Sequence, residues 1–360
     1  MKALVMWADE SSRNLGVRVL AQGAEALIRR SWPEADVEFQ SFGNGAAPFP
    51  LRERTVIKEL LPGNRAITRW VREYDFILDM RWGDSFSDIY GLRRLVMMNT
   101  LAQIAAASGS KVIMGPQTIG PFESMPGRIL ARLAGTRVEA IMCRDARSAE
   151  YCEEVGLPFA DPSTDVVFAL PVPDAKKTRD IAVNVSGLLS NDNPHIDSGL
   201  YRRSMVELCK SLLNSNREVT LFAHVLDSDS HDNDVPAVKQ LQSELDHRVA
   251  AFIPAGLDDV REFVASADLV VGARMHACLN ALSTGTPAIP LAYSRKFSPL
   301  LEDLGWQHTI DLRRRDSYVD DILGKIEESA ALEADIVSLR SKAEELLDNG
   351  AQVLQKAVGL

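Results

Sequence analysis

The sequence predicts an α/β protein built from two doubly wound domains. Three observations lead there: short apolar runs alternate with amphipathic stretches, several of those runs are apolar without alternation, and one proline-marked break falls near mid-chain. A strand covered on both faces loses its apolar–polar alternation and reads as a continuous hydrophobic run. Strand, helix and strand in regular succession mean parallel sheets with helices on both faces. The 360 residues exceed what one core usually organises, so two domains are expected.

In chain order, the first half offers strands at KALVMW from Lys2, DVEFQS from Asp36, YDFILDM from Tyr74, KVIMG from Lys111 and EAIMC from Glu139. Helical stretches such as VRVLAQGAEALIRR and LRRLVMMNTLAQIAAAS lie between them. The break is LPVPDAKKTRD, from Leu170 to Asp180, two prolines followed by charge. Beyond it come DIAVNVS from Asp180, EVTLFAHV from Glu218, RVAAFI from Arg248, DLVVGA from Asp268 and PAIPLA from Pro287, separated by helices such as SGLYRRSMVELCKSLLNS and LDDVREFVASA. From Tyr318 the tail is helical, with a break near Ser329. The expected domains are residues 1–172 and 178–325, two Rossmann-like units facing across a cleft, with 326–360 as a C-terminal helix. Ligands are expected in the loops leaving the carboxyl ends of strands.

Composition excludes several functions. A net charge of −10 repels phosphate backbones, so no nucleic-acid partner is expected. The four cysteines form no C-x-x-C pair or zinc-finger spacing, so they read as reduced thiols and no metal is expected. No apolar run approaches the ~20 residues that span a bilayer, and the N-terminus lacks a signal-peptide core. The expected location is cytoplasmic, with attachment at the inner membrane face and self-association both left open. No P-loop, nucleophile elbow or H-E-x-x-H motif occurs.

The sharpest constellation is LVVGARMHACLNALSTGTPAIPL. A strand ends at glycine and a helix begins at Arg274-Met275-His276, so exposed N–H groups and the positive end of the helix dipole mark an anion site. Arg274 adds a planar fork for carboxylate or phosphate, and His276 a group that exchanges protons near neutral pH. A helix terminus contributes about 0.3–1 kcal/mol and a charge-assisted bond about 1.5–3. A multiply charged metabolite therefore calls for a second cation, with Arg144, Arg147 and Arg295 as candidates. In the first half, three polar loops follow strands: Asn14 with Gly16, then Gly83, Asp84, Ser85 and Asp88, then Gly115, Gln117, Thr118 and Gly120. Their chemistry suits a hydroxyl-rich ligand. Asp84 and Asp88 are bases or helix caps on equal footing. HVLDSDSHDND reads as a solvated acidic loop rather than a calcium loop.

Taken together, these segments resemble the polysaccharide pyruvyl transferase family. The resemblance runs through Asn14-Leu15-Gly16, GDSFSD, GPQTIGPF, CRDARSAEYCEEVGL and DPSTDVVFALP to VVGARMHACLNALSTGTPAIPLAYSRKFSPLLEDLG. It implies a glycosyltransferase-B-like fold whose C-terminal helix returns to the first domain. It implies phosphoenolpyruvate as co-substrate, no separate cofactor, and as acceptor a sugar of a cell-surface polysaccharide or its lipid-linked precursor. The product would be a pyruvate ketal bridging two hydroxyls, with phosphate released. Arg274 and His276 stand at the family's donor-contacting R-x-H. Arg144, then Arg147, best match its earlier donor-binding arginine. Asp84 would orient or deprotonate an acceptor held by Asn14, Asp84, Asp88 and Gln117. Val17 stands where the family often has aspartate, and Trp82-Gly83-Asp84 where it often has a glycine-rich run, which points to an unusual acceptor. A nucleotide-sugar glycosyltransferase and a non-catalytic scaffold of polysaccharide assembly are the competing readings.

Overall fold

The computed structural model describes residues 1–158, 160–226, 231–314 and 317–359. Two compact units account for the chain: residues 1–11, 17–170 and 343–360 form one, and residues 12–16 and 171–342 the other.

The first unit holds β1 (Lys2–Met6), β2 (Asp36–Gln40), β3 (Phe76–Asp79), β4 (Lys111–Gln117), β5 (Ala140–Cys143) and β6 (Ala160–Pro162). They form one parallel sheet in the order β2-β1-β3-β4-β5-β6. The chain reverses direction across the sheet between β1 and β3, so the loops leaving those strands flank the switch point. One core groups Leu20, Ala24 and Leu27 of the helix Leu15–Ser31 with Leu347 and Leu354 of the C-terminal segment. Another groups Leu4 and Ile77 with Trp70 and Met98.

The helix Leu15–Ser31 passes so close to its neighbour that a Cβ at Gly23 would stand 2.5 Å from the Val166 carbonyl oxygen. Backbone cannot swing aside like a side-chain tip. Gly23→Ala gains about 1 kcal/mol of helix propensity, yet the clash is expected to outweigh it and leave a net loss of about 1–3 kcal/mol. A urea midpoint at or above that of the parent chain would show that the approach relaxes freely.

The second unit holds β7 (Arg179–Asn184), β8 (Val219–Phe222), β9 (Ala250–Phe252), β10 (Ala267–Gly272), β11 (Ala288–Ala292) and β12 (Ile310–Asp311). Their parallel order is β12-β11-β10-β7-β8-β9. Counted from β7 this is the 3-2-1-4-5-6 arrangement of dinucleotide-binding sheets, with the switch point between β7 and β10.

All ten expected strands are present. β6 and β12 are additional edge strands of three and two residues, too short to carry a periodic signal. Two segments group differently from the expected domains. Residues 12–16 belong with the second unit, held by an Asn14–Val225 bridge and by Leu15 N–H donating to the His224 carbonyl at 3.2 Å. The C-terminal segment groups with the first unit only from residue 343, not 326. Before that, Leu332, Ile336 and Leu339 are buried in the second unit, where the His308 Nε2 and Asp335 Oδ2 atoms lie 2.8 Å apart.

Candidate functional site

In the second unit, β10 ends at Gly272 and the helix Met275–Thr284 starts two residues later, with Arg274 at its N-cap in extended conformation. The start is pinned to the neighbouring strand because Arg274 N–H donates to Asn184 Oδ1 at 3.0 Å, at the end of β7. The R-x-H sequence therefore sits on the switch point itself.

The Arg274 side chain does not project outward. It is 7% exposed. Its Nε and Nη2 donate to Asp234 Oδ1 at 3.1 and 2.7 Å, and Nη1 to Asp232 Oδ1 at 2.6 Å. Nη2 also donates to the Asp232 carbonyl at 2.6 Å. Burial acts to lower the guanidinium pKa, but Asp234 and Asp232 override it and raise the value above the ordinary one. Asp234 is fully buried and also accepts the N–H groups of Gly187, His224 and Val225 at 2.8, 3.0 and 2.9 Å. The acidic loop is thus not simply solvated: its end ties Arg274, which follows β10, to the segments that follow β7 and β8. Residues 227–230 of that loop lie outside the described residues.

His276 is half-buried in the first turn of the helix. Gly16 approaches it so closely that a Cβ there would stand 2.8 Å from Nδ1. Asn14 Oδ1 caps the same segment by accepting Gly16 N–H at 3.0 Å. Asn14, expected among the acceptor-side loops, therefore lies against the R-x-H turn.

Below His276 runs a buried polar chain. Arg261 Nη1 donates to Asn280 Oδ1 at 2.9 Å, which turns Asn280 Nδ2 toward His224 Nε2 at 3.1 Å. His224 Nε2 is then the acceptor, and its proton sits on Nδ1. Burial pushes Arg261 down to about 10. Burial, then His276 and Arg274, hold His224 well below its ordinary value. The folded chain thus keeps this ring neutral where an unfolded histidine, with pKa about 6.5, starts to bind a proton. The unfolded state binds more protons below that pH, so stability is expected to fall as pH drops from about 6.5, by up to about tenfold in the folding constant per pH unit. Urea midpoints between about pH 7.5 and 5.5 read this slope, and His224→Gln should flatten it. An equal slope in both chains would place the effect elsewhere.

In the first unit the switch-point loops carry strained backbone. Trp7, Arg81 and Trp82 have φ of 60°, 44° and 50°, and such outliers gather at functional sites. Arg81, not singled out from the sequence, is fully buried. Its Nε donates to Asp79 Oδ2 at 2.9 Å, its Nη1 to Asn99 Oδ1 at 2.7 Å, and its guanidinium lies 4.3 Å from the Phe86 ring centre. Burial raises the Asp79 pKa despite that arginine. Gln117 is buried and donates to the Asp79 and Gly115 carbonyls at 3.1 and 3.2 Å. Arg144 is buried, with Nη1 on Asp165 Oδ2 at 2.9 Å and Nε on Thr118 Oγ1 at 2.8 Å. Asp84 is half-buried and accepts Tyr90 Oη–H at 2.8 Å.

Asp88 is not itself a helix cap but braces one, Ser124, at the start of the helix Met125–Gly135. It accepts Glu123 N–H, Ser124 N–H and Ser124 Oγ–H at 3.0, 2.8 and 2.6 Å. Burial works to raise its pKa, but these bonds hold it below the usual carboxylate range. Arg147 lies on the exposed surface, paired with Glu150 and 4.2 Å from the Tyr151 ring centre. Arg295 is half-buried in the second unit, in the loop between β11 and the helix Ser298–Asp303.

The structure thus gathers Arg274, His276 and Asn14 in one unit, and Asp84, Gln117 and Arg144 at the strand ends of the other. Of their partners, His224, Asp232 and Asp234 lie in HVLDSDSHDND and Asn280 in the helix after R-x-H; nothing local marks them as groups that meet Arg274 or one another. Among the described residues, no group of three or more His, Cys, Asp or Glu is placed to hold a metal ion.

The sequence pattern described as "Polysaccharide pyruvyl transferase" matches residues 14–295, which includes both Asn14 and the R-x-H turn. The amylovoran biosynthesis protein AmsJ of Erwinia amylovora is 21% identical over 262 residues, 65% of this chain and 60% of that protein. Among solved structures, HepE of Anabaena in complex with UDP-glucose is similar at a TM-score of 0.57, with 14% identity and all of both chains covered. A UDP-GlcNAc 2-epimerase from Neisseria meningitidis is similar at 0.62, with 11% identity over 99% of each chain. At these identities the likeness is one of fold, the two-domain glycosyltransferase-B-like architecture.

Proposed function

The chain belongs to the polysaccharide pyruvyl transferase family, and on that premise we propose that it moves pyruvate from phosphoenolpyruvate onto a sugar of a cell-surface polysaccharide or its lipid-linked precursor. The observation that carries this reading is the R-x-H turn at the switch point of the second sheet, inside the matched range. A polysaccharide-modifying transferase is the coarser activity; the donor, the acceptor and the residue roles below are the proposal.

The reaction requires a proton on the donor's methylene carbon, attack of one hydroxyl on C2, departure of phosphate, and capture of C2 by a second hydroxyl. Two hydroxyl protons are released; one balances the methyl group and the other leaves with phosphate or solvent. His276 is the group for proton transfer, worth about 10²–10⁴-fold. The N-terminus of the helix Met275–Thr284 faces the anionic donor. Arg274 then acts chiefly by fixing that terminus, because two carboxylates already offset its charge. Arg144 and Arg295 are the remaining candidates for a second cation. Arg147, tied into surface pairs, is the weakest. Asp84, beside Tyr90, is proposed to hold or deprotonate the acceptor.

The test is phosphate release from phosphoenolpyruvate across a panel of acceptor glycosides, beside a thermal-shift panel of phosphoenolpyruvate, UDP-sugars and GDP-sugars. Acceptor-dependent phosphate release is the expected result. A shift with a nucleotide sugar and none with phosphoenolpyruvate would replace this reading with a glycosyltransferase.

A further inference from the structure

Of the fourteen large apolar side chains exposed among the described residues, eleven lie in the first unit. Scattered exposed apolar residues are ordinary; a continuous set is not. On the helix Met125–Gly135, the inner face buries Gly127, Ala131 and Ala134. The outer face carries Met125, Ile129 and Leu133, which are 69%, 52% and 52% exposed. A spacing of four sets them in one line along the helix. Arg128 and Arg132 are exposed beside that line, and the helix contains no Asp or Glu. The helix Leu92–Ala107 packs against both this helix and the helix Glu53–Glu59. At and just beyond the end of the latter, Ile57, Leu60 and Leu61 are exposed, flanked by Arg54 and Lys58.

The charge is as uneven as the apolar surface. Residues 52–137 hold thirteen Lys and Arg against eight Asp and Glu, in a chain of net charge −10. Protruding apolar side chains interleaved with arginines match the boundary between acyl chains and anionic headgroups. A second copy of this chain fits the face poorly, because pairing it with itself would set arginine against arginine. Among the described residues no helix is long and apolar enough to cross a membrane.

We propose that the first unit docks on an anionic lipid bilayer through the helix Met125–Gly135 and, across the intervening helix Leu92–Ala107, the end of the helix Glu53–Glu59, inserting Ile129, Leu133, Leu60 and Leu61 beneath a rim of arginines. The proposal is independent of the donor reading, since binding is measured without turnover. The experiment is co-sedimentation of the full chain with vesicles of phosphatidylcholine plus phosphatidylglycerol, and with vesicles of phosphatidylcholine alone. Binding is expected to the mixed vesicles and to fall as salt is raised. The double variant Ile129→Gln, Leu133→Gln should weaken it by about tenfold or more, and so should Arg128→Glu, Arg132→Glu. Ile129 and Leu133 are exposed, so an unchanged urea midpoint is expected for the Gln variant and serves as the folding control. Arg128 and Arg132 also donate to the Phe122 and Val155 carbonyls, so a lower midpoint is expected for the Glu variant and is measured beside its binding. Absence of binding to mixed vesicles, or equal binding by parent and both variants, would overturn the proposal. So would a concentration-dependent dimer in analytical ultracentrifugation that the Gln variant abolishes, because a second copy would then cover the face.

Discussion

Asp234→Ala is expected to destabilise the second unit by about 3–5 kcal/mol, the usual consequence of removing one partner of a buried ion pair. The reason lies in what remains. Arg274 would keep a buried guanidinium with only Asp232 to offset it, and the N–H groups of Gly187, His224 and Val225 would lose their common acceptor. Arg274→Ala should cost a similar amount by the converse route, leaving the Asp234 carboxylate buried without its cation. The two losses should not add. Residues sharing one network typically show about 0.5–3 kcal/mol of interaction energy. Urea denaturation of both single variants and the double variant measures the cycle. If Arg274→Ala leaves the midpoint unchanged and only raises the KM for the donor, Arg274 is a ligand-binding residue and the positioning role is discarded.

Replacing His276 with Gln should lower turnover by about 10²–10⁴-fold while changing stability by no more than about 1 kcal/mol, because the side chain is only half-buried. A companion substitution separates chemistry from placement. Gly16→Ala leaves His276 in the chain but sets a methyl group 2.8 Å from its Nδ1, so the ring must move. A displacement of about 1 Å at a reacting centre can cost about 10²-fold. Both variants are read by steady-state phosphate release from phosphoenolpyruvate. His276→Gln retaining the parent turnover would remove the acid–base assignment. Gly16→Ala doing so would show that the imidazole tolerates a shift.

Much of the molecule was legible from local pattern. All ten expected runs became parallel strands; β3 and β4 are buried nearly throughout and therefore largely apolar, whereas β2 and β9 are partly exposed. Asn14 and Gly16 were singled out from the sequence, yet their grouping was not. They follow a strand of one unit and belong with the other, through a bridge to Val225 more than two hundred residues away. Asp88 could be read as base or cap; in the fold it instead accepts three bonds from Glu123 and Ser124, bracing the residue that caps the helix Met125–Gly135.

The sequence by itself determined the architecture, the R-x-H turn at a strand end and the family, since each rests on residues close together or in a recognisable order. Tertiary structure decided what the Arg274 side chain meets. Read locally it is a cation at a helix start, suited to an anion. In the fold it is enclosed by Asp232 and Asp234, some forty residues earlier in the chain. Whether a guanidinium meets ligand or carboxylate depends on which strand ends the sheet order brings together, and a β8 loop reaches Arg274 only because β7 lies between β8 and β10.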